Sequence, residues 1–82
     1  MYPSVIKVKP IEEYCILVEF DNDESGILDM KPYLDFGIFS QLRDPDLFKT
    51  VRVSFDTVEW TNRIDLDPKF VYEKCEQVTQ AM

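Results

Sequence analysis

Apolar residues recur with period two over the first third of the chain, which is the signature of strands rather than helices. Ser4–Lys9 alternates with Ile6 and Val8 on one side and Val5, Lys7 and Lys9 on the other, and Pro10 is expected to end it. Tyr14–Phe20 alternates most strongly: Tyr14, Ile16, Val18 and Phe20 share one face, Cys15, Leu17 and Glu19 the other. Gly26–Met30 reads as a third strand after the polar turn 21–25. Connections this short favour antiparallel neighbours, so a three-stranded meander is predicted.

The pattern then changes. Pro32 fits the first turn of a short helix and Gly37 its end. Tyr33, Leu34, Phe36, Ile38, Phe39 and Leu42 are too apolar for a solvated loop and read as a plug against the sheet. Pro45 opens a further single turn anchored by Leu47 and Phe48. Alternation returns in 50–55 and again, out of phase, in 57–60, which predicts a hairpin turning near Asp56-Thr57. Asp67 caps and Pro68 opens the last helix, whose predicted inner stripe is Val71, Cys75, Val78 and Met82. The fold class expected is α+β: a meander plus a hairpin, short helical turns in the middle and one C-terminal helix, in one domain over 1–82.

Composition sharpens this picture. Hydrophobic residues are 45% and aromatics 13% of 82 residues, enough for a core. The net charge of −7 disfavours nucleic acid and anionic membranes and favours a small, basic protein partner. No apolar run suits a bilayer span or a signal core, so a cytoplasmic protein is the expectation.

Candidate chemistry is thin. The chain has no histidine, which removes the usual general base at neutral pH and the common zinc patterns. Cys15 and Cys75 form no close pair in sequence and read as buried small hydrophobes. Ser25, Ser40 and Ser54 have no histidine to activate them, and no glycine-rich phosphate loop occurs. Lys7 and Lys9 read as the blunted edge of a sheet.

The stretch "DNDESGILDMKP" imitates a calcium loop. Asp21, Asp23, Ser25 and Gly26 fall at positions 1, 3, 5 and 6 and Asp29 at 9, but position 12 is Pro32, where a bidentate glutamate is needed. The period-two flanks are not helices either, so a solvated acidic turn is expected. Asp65 and Asp67 would share a face of an extended segment, as paired acids do, yet Asp67 has the plainer role of a helix cap. The expectation is therefore no catalytic, cofactor-binding or metal-binding residue.

Eleven aromatic residues are many for one thin core. Two short helices and a longer one cannot cover both faces of a five-stranded sheet, and uncovered apolar area marks an interface. Tyr14, Phe20, Phe36, Phe39 and Trp60 are the candidate interface residues.

The order of elements resembles a small bacterial family, domain of unknown function 2442, over nearly the whole chain. The resemblance rests on "VIKVKP", "YCILVEF", "GILDM", "GIFSQLRDPDLFKTV" and, most specifically, "VEWTNRIDLDPKFVY". Trp60, Asn62, Asp65, Leu66, Pro68 and Tyr72 match its closing motif, whereas Thr61 and Arg63 stand where proline and glycine are common. The resemblance implies a positive-φ turn, in which Arg63 is strained. It also implies an α+β domain with no established enzymatic activity. Members are often encoded beside another small uncharacterised domain, an arrangement resembling a toxin–antitoxin pair. Some longer members carry a helix-turn-helix segment, for which 82 residues leave no room.

The leading expectation is thus a non-enzymatic protein-binding module, the antitoxin-like half of a pair. The alternatives are a sheet-mediated homodimeric adaptor and an enzyme using the carboxylates Asp29, Asp65 or Asp67.

Overall fold

The computed structural model describes residues 3–77. The strands β1 (Val5–Ile11), β2 (Cys15–Phe20) and β3 (Ser25–Asp29) form the predicted antiparallel meander. Two 3-10 segments follow, Lys31–Tyr33 and Gly37–Arg43, and then one turn of helix, α1 (Pro45–Phe48). The strands β4 (Arg52–Ser54) and β5 (Thr57–Glu59) make the hairpin, and α2 (Pro68–Lys74) leads into β6 (Glu76–Gln77). The fold is α+β.

The alternation read in β2 is the alternation of burial, and β3 follows the same pattern. Ile16, Val18 and Phe20 are buried, as are Gly26, Leu28 and Met30. Against this face pack Leu34 and Leu42 from the middle segment, Phe48 from α1, Val58 and Trp60 from the hairpin, and Val71 from α2. The indole Nε1 of Trp60 donates to the carbonyl of Phe48 at 2.9 Å, so the largest core side chain leaves no buried donor unpaired. Phe48 stacks obliquely on that indole and meets Tyr14 edge-on, with ring centres 5.3 Å apart in the latter pair.

Several elements depart from the pattern read in the sequence. Pro10 does not end β1; it pairs opposite Ile16. β1 is an edge strand, where a residue without an N–H is tolerated. The register slips between Val5 and Lys7, and this bulge at Ile6 turns Val5 into the core while Ile6 points out, 54% exposed. Tyr14 lies in the tight turn before β2, where Glu13 and Tyr14 both have φ near +60°. Gly37 opens the second 3-10 segment instead of closing the first helix. The hairpin stands as a two-stranded sheet of its own, so the described residues form no single five-stranded sheet.

The largest departure is at the C-terminal end. α2 stops at Lys74, Cys75 is extended, and Glu76 pairs with Ile27 on the free edge of β3. The predicted helical stripe therefore ends at Val71, and Val78 and Met82 lie outside the described residues. Phe70, Val71 and Tyr72 are weak helix formers, so an unpaired strand edge competes successfully for the chain. Gly26 makes the approach possible: a Cβ there would stand 2.9 Å from both Cys75 Cβ and the Glu76 carbonyl oxygen.

The closing motif is architecture. Trp60 N–H donates to the Ile64 carbonyl, and Arg63 N–H to the Trp60 carbonyl, closing a turn with Arg63 at φ +71°. Asn62 Oδ1 accepts from Ile64 N–H, and Leu66 is buried. Asp65 bridges Glu59 through the backbone. Asp67 accepts from Lys69 N–H at 2.8 Å, Pro68 opens α2, and Tyr72 lies edge-on to Phe20.

Two substitutions test this account. Arg63→Gly relieves a left-handed backbone and is expected to raise stability by about 1 kcal/mol, seen as a higher denaturant midpoint at unchanged slope. Gly26→Ala pushes on backbone and is expected to cost about 1–3 kcal/mol. Hydrogen exchange should show the loss first at the β3–β6 pairing.

Candidate protein interface

The two faces of the main sheet differ in what covers them. On the side away from the core, register aligns Lys7 with Glu19, then Lys9 with Leu17 and Ile27, then Ile11 with Cys15 and Asp29. Lys7, Lys9, Glu19, Ile27 and Asp29 are exposed, and Leu17 is half-buried. β4 lies against β1, fixed at one end where Val5 N–H donates to the Asp56 carbonyl at 3.1 Å. Between them is a groove of about 510 Å³ lined by Ile6–Lys9, Leu17, Glu19 and Val51–Val53.

This groove is locally basic. Lys7, Lys9 and Arg52 are three of the nine cationic side chains of the whole chain, and Glu19 is the single acid among the lining residues. Arg52 reaches Glu59 on β5 at 3.2 Å, a solvent-exposed pair of little energetic weight. The sign of the groove is opposite to the net charge of −7.

The rim is apolar. Val53 is 37% exposed, and two residues on, at the hairpin tip, Phe55 is 97% exposed. Phe55 also has φ +54°, in a two-residue turn where glycine, asparagine or aspartate is the usual occupant. The Val5–Asp56 bond sets this tip beside Ile6.

The structure sorts the candidate interface residues. Trp60 and Phe20 are core, and neither offers surface. Tyr14 is half-buried on Phe48, with its hydroxyl donating to the Arg43 carbonyl. Phe39 is half-buried against the core. Phe36 is 64% exposed, next to the exposed Ile38. Ile6 and Phe55 were missed. The bulge that exposes Ile6 has no local sequence signal, and the period-two reading of 50–55 puts Phe55 on a strand face with Val51 and Val53, whereas the turn falls one residue earlier than Asp56-Thr57, on Phe55 and Asp56.

The groups that could carry chemistry are occupied locally. Asp29 accepts from Lys31 N–H at 2.9 Å and pairs with its ammonium. Burial alone would raise this carboxyl, but the hydrogen bonds and charge of Lys31 outweigh it and hold Asp29 below the usual range. Lys31 Nζ lies 3.9 Å from Cys15 Sγ, yet burial and then the Asp29 charge push that thiol up, away from a reactive thiolate. Burial pushes Cys75 up to about 12. Asp67 caps α2. In the acidic turn, Asp21 accepts from Ser4 N–H, Asn22 bonds Glu24, and strands flank both sides. Among the described residues, no three acidic or thiol side chains gather as a metal site, and no helix is long and apolar enough to cross a membrane.

No curated protein and no solved structure matches the chain. A family model does, over residues 5–77, which spans every element from β1 to β6 and the whole Trp60–Tyr72 corner. The chain belongs to DUF2442, a family of proteins of unknown function.

Proposed function

We propose that this protein is a non-enzymatic protein-binding module, with an antitoxin-like role as the half of a pair that holds a second small protein. The observation that carries the reading is Phe55. A nearly fully exposed aromatic ring in a left-handed turn is unfavourable for the isolated chain twice over, in hydration and in backbone strain. Buried in a partner, the same ring supplies the kind of aromatic anchor that dominates interface energetics. Ile6 and Val53 extend the apolar area beside it, and Phe36 and Ile38 add a second exposed pair.

The carboxylate-enzyme reading has less to draw on, since Asp29 is paired with Lys31, Asp67 caps α2, and Asp65 belongs to the same Trp60–Tyr72 corner as Asp67. A homodimeric adaptor would use the same exposed residues, and mass measurement separates it from a heterologous complex. The net charge of −7 supports a basic partner at long range, where only the summed charge is felt.

The test joins stability to binding. Phe55→Asn suits the turn and is expected to stabilise the domain by about 0.5–1 kcal/mol, while reducing capture of the protein that copurifies with the untagged chain from native cells. A variant that is more stable and retains its partner in full shows that Phe55 is not the anchor. A wild-type protein that purifies alone as a monomer removes the binding-module reading altogether.

A further inference from the structure

We infer that the outer face of the main sheet seats an amphipathic helix of a partner protein, its apolar stripe on Leu17 and Ile27 and acidic residues on the flank over Lys7 and Lys9. This rests on the protein-binding reading and deepens it by naming the surface and the chemistry it accepts.

Register builds the surface. Lys9 pairs with Leu17, Leu17 with Ile27 and Ile27 with Glu76, so one row crosses four strands in the order basic, apolar, apolar, acidic. Paired residues of neighbouring strands share a face. This row faces away from the core, since Ile16, Val18, Gly26 and Leu28 beside it in sequence are buried. Among the described residues, the segments that cover the sheet converge on the core face, leaving Ile27 37% exposed and Leu17 half-buried. A hollow lies on each side of the Leu17–Ile27 ridge: one of about 510 Å³ toward β1 and β4, one of about 400 Å³ toward β6.

Dimensions select a helix. Strands lie about 4.8 Å apart, so β1 and β6 stand roughly 14 Å apart astride the ridge. A helix with its side chains is about 10–12 Å across and fills that width. An extended segment lying on the face is too narrow to reach the ridge and the lysines together. Lys7 and Lys9, two residues apart on a strand, are separated by about 6.6 Å. Helix positions i and i+4 share a side and are separated by about 6 Å along the axis, so a glutamate pair at that spacing meets both lysines.

Charge sets the sign of that flank. Neither Lys7 nor Lys9 has an ion pair among the described residues, and Arg52 adds a third cation to the same hollow, against the one acid Glu19. On the opposite flank Asp29 pairs with Lys31, and Lys74 stands with Glu76 in the lining, so that side is nearly balanced and specifies little. A basic helix flank is repelled by the lysines, which therefore discriminate as well as attract. The stripe also runs on toward the Phe55 anchor: Ile6 follows Lys7, and the Val5–Asp56 bond holds the hairpin tip beside it.

The experiment uses the full chain and three labelled peptides of equal length, each stapled into a helix through its solvent side. The first carries a leucine stripe, glutamates at i and i+4 on one flank and glutamines on the other. The second replaces the glutamates by lysines. The third keeps the composition of the first with the stripe broken. Long-range attraction to a chain of charge −7 favours the lysine peptide, so preference for the first reports the local surface. Fluorescence anisotropy at physiological salt is expected to show the first binding at least about tenfold more tightly than either comparator. Methyl resonances of Leu17 and Ile27 should shift in that complex. The variant Lys7→Glu, Lys9→Glu should keep a dispersed spectrum, lose at least about tenfold for the first peptide and gain affinity for the second. Ile27→Gln, a single exposed change, should weaken the first peptide as well. Failure of the first peptide to bind, equal binding of the three, shifts confined to other residues, or unaffected variants overturn the assignment. So does movement of the same methyl signals with protein concentration alone, which places a second copy on the face. A native partner retained equally by wild type and the double variant removes the face assignment and leaves the binding-module reading intact.

Discussion

The indole of Trp60 fixes how the chain closes on itself. Its ring is fully buried, and burying so large a side chain is favourable only if its N–H finds an acceptor. That acceptor is the carbonyl of Phe48, at the end of α1, so the middle of the chain must lie against the hairpin. Thr61 then reaches Thr50 with both its N–H and its hydroxyl, pinning the strand ends around the same point. The Trp60–Arg63 turn reverses the chain, so that Leu66 N–H returns to the Val58 carbonyl and α2 starts over the sheet. The motif from Trp60 to Tyr72 is a corner in the chain, and its residue types follow from turning, capping and filling.

One consequence is that cover goes to one side. The middle segment, the hairpin and α2 all converge on the face carrying Ile16, Val18, Leu28 and Met30. A domain of this size buries only about 60–65% of its unfolded surface, and the opposite face is the part left open among the described residues. That face is not apolar throughout. Lysine stems lie beside Leu17 and acids beside Ile27, which keeps it compatible with water while leaving hydrophobic area available.

Much of this was legible in the sequence because it rests on local periodicity. The alternation in Tyr14–Phe20 grouped the side chains that share a face, and the cap at Asp67 was announced by the proline that follows it. What was not legible depends on non-local pairing. Ile6 is exposed because of a bulge whose cause lies in the pairing with β2. Cys75 leaves the helix because β3 has an unoccupied edge and Gly26 permits close approach, neither of which appears in the stripe Val71–Cys75. Trp60 and Phe20 were proposed as surface because composition counts aromatics without saying which find partners. The left-handed turn at Arg63 follows the family pattern despite its side chain, since hydrogen bonds from both Arg63 and Ile64 hold it.

The candidate site shows the same division between a sum and its distribution. A net charge of −7 is a property of the whole surface, and it governs encounter at distances where individual groups cannot be told apart. Recognition at contact is governed by the few charges within a screening length of the ligand. Here register sets Lys7 and Lys9 on one face of an edge strand, and the hairpin brings Arg52 across from them. The acids Asp21, Asp23 and Glu24 are drawn off into the β2–β3 turn. The same chain is therefore acidic in sum and basic along this one edge, because register and not composition decides which charges are neighbours.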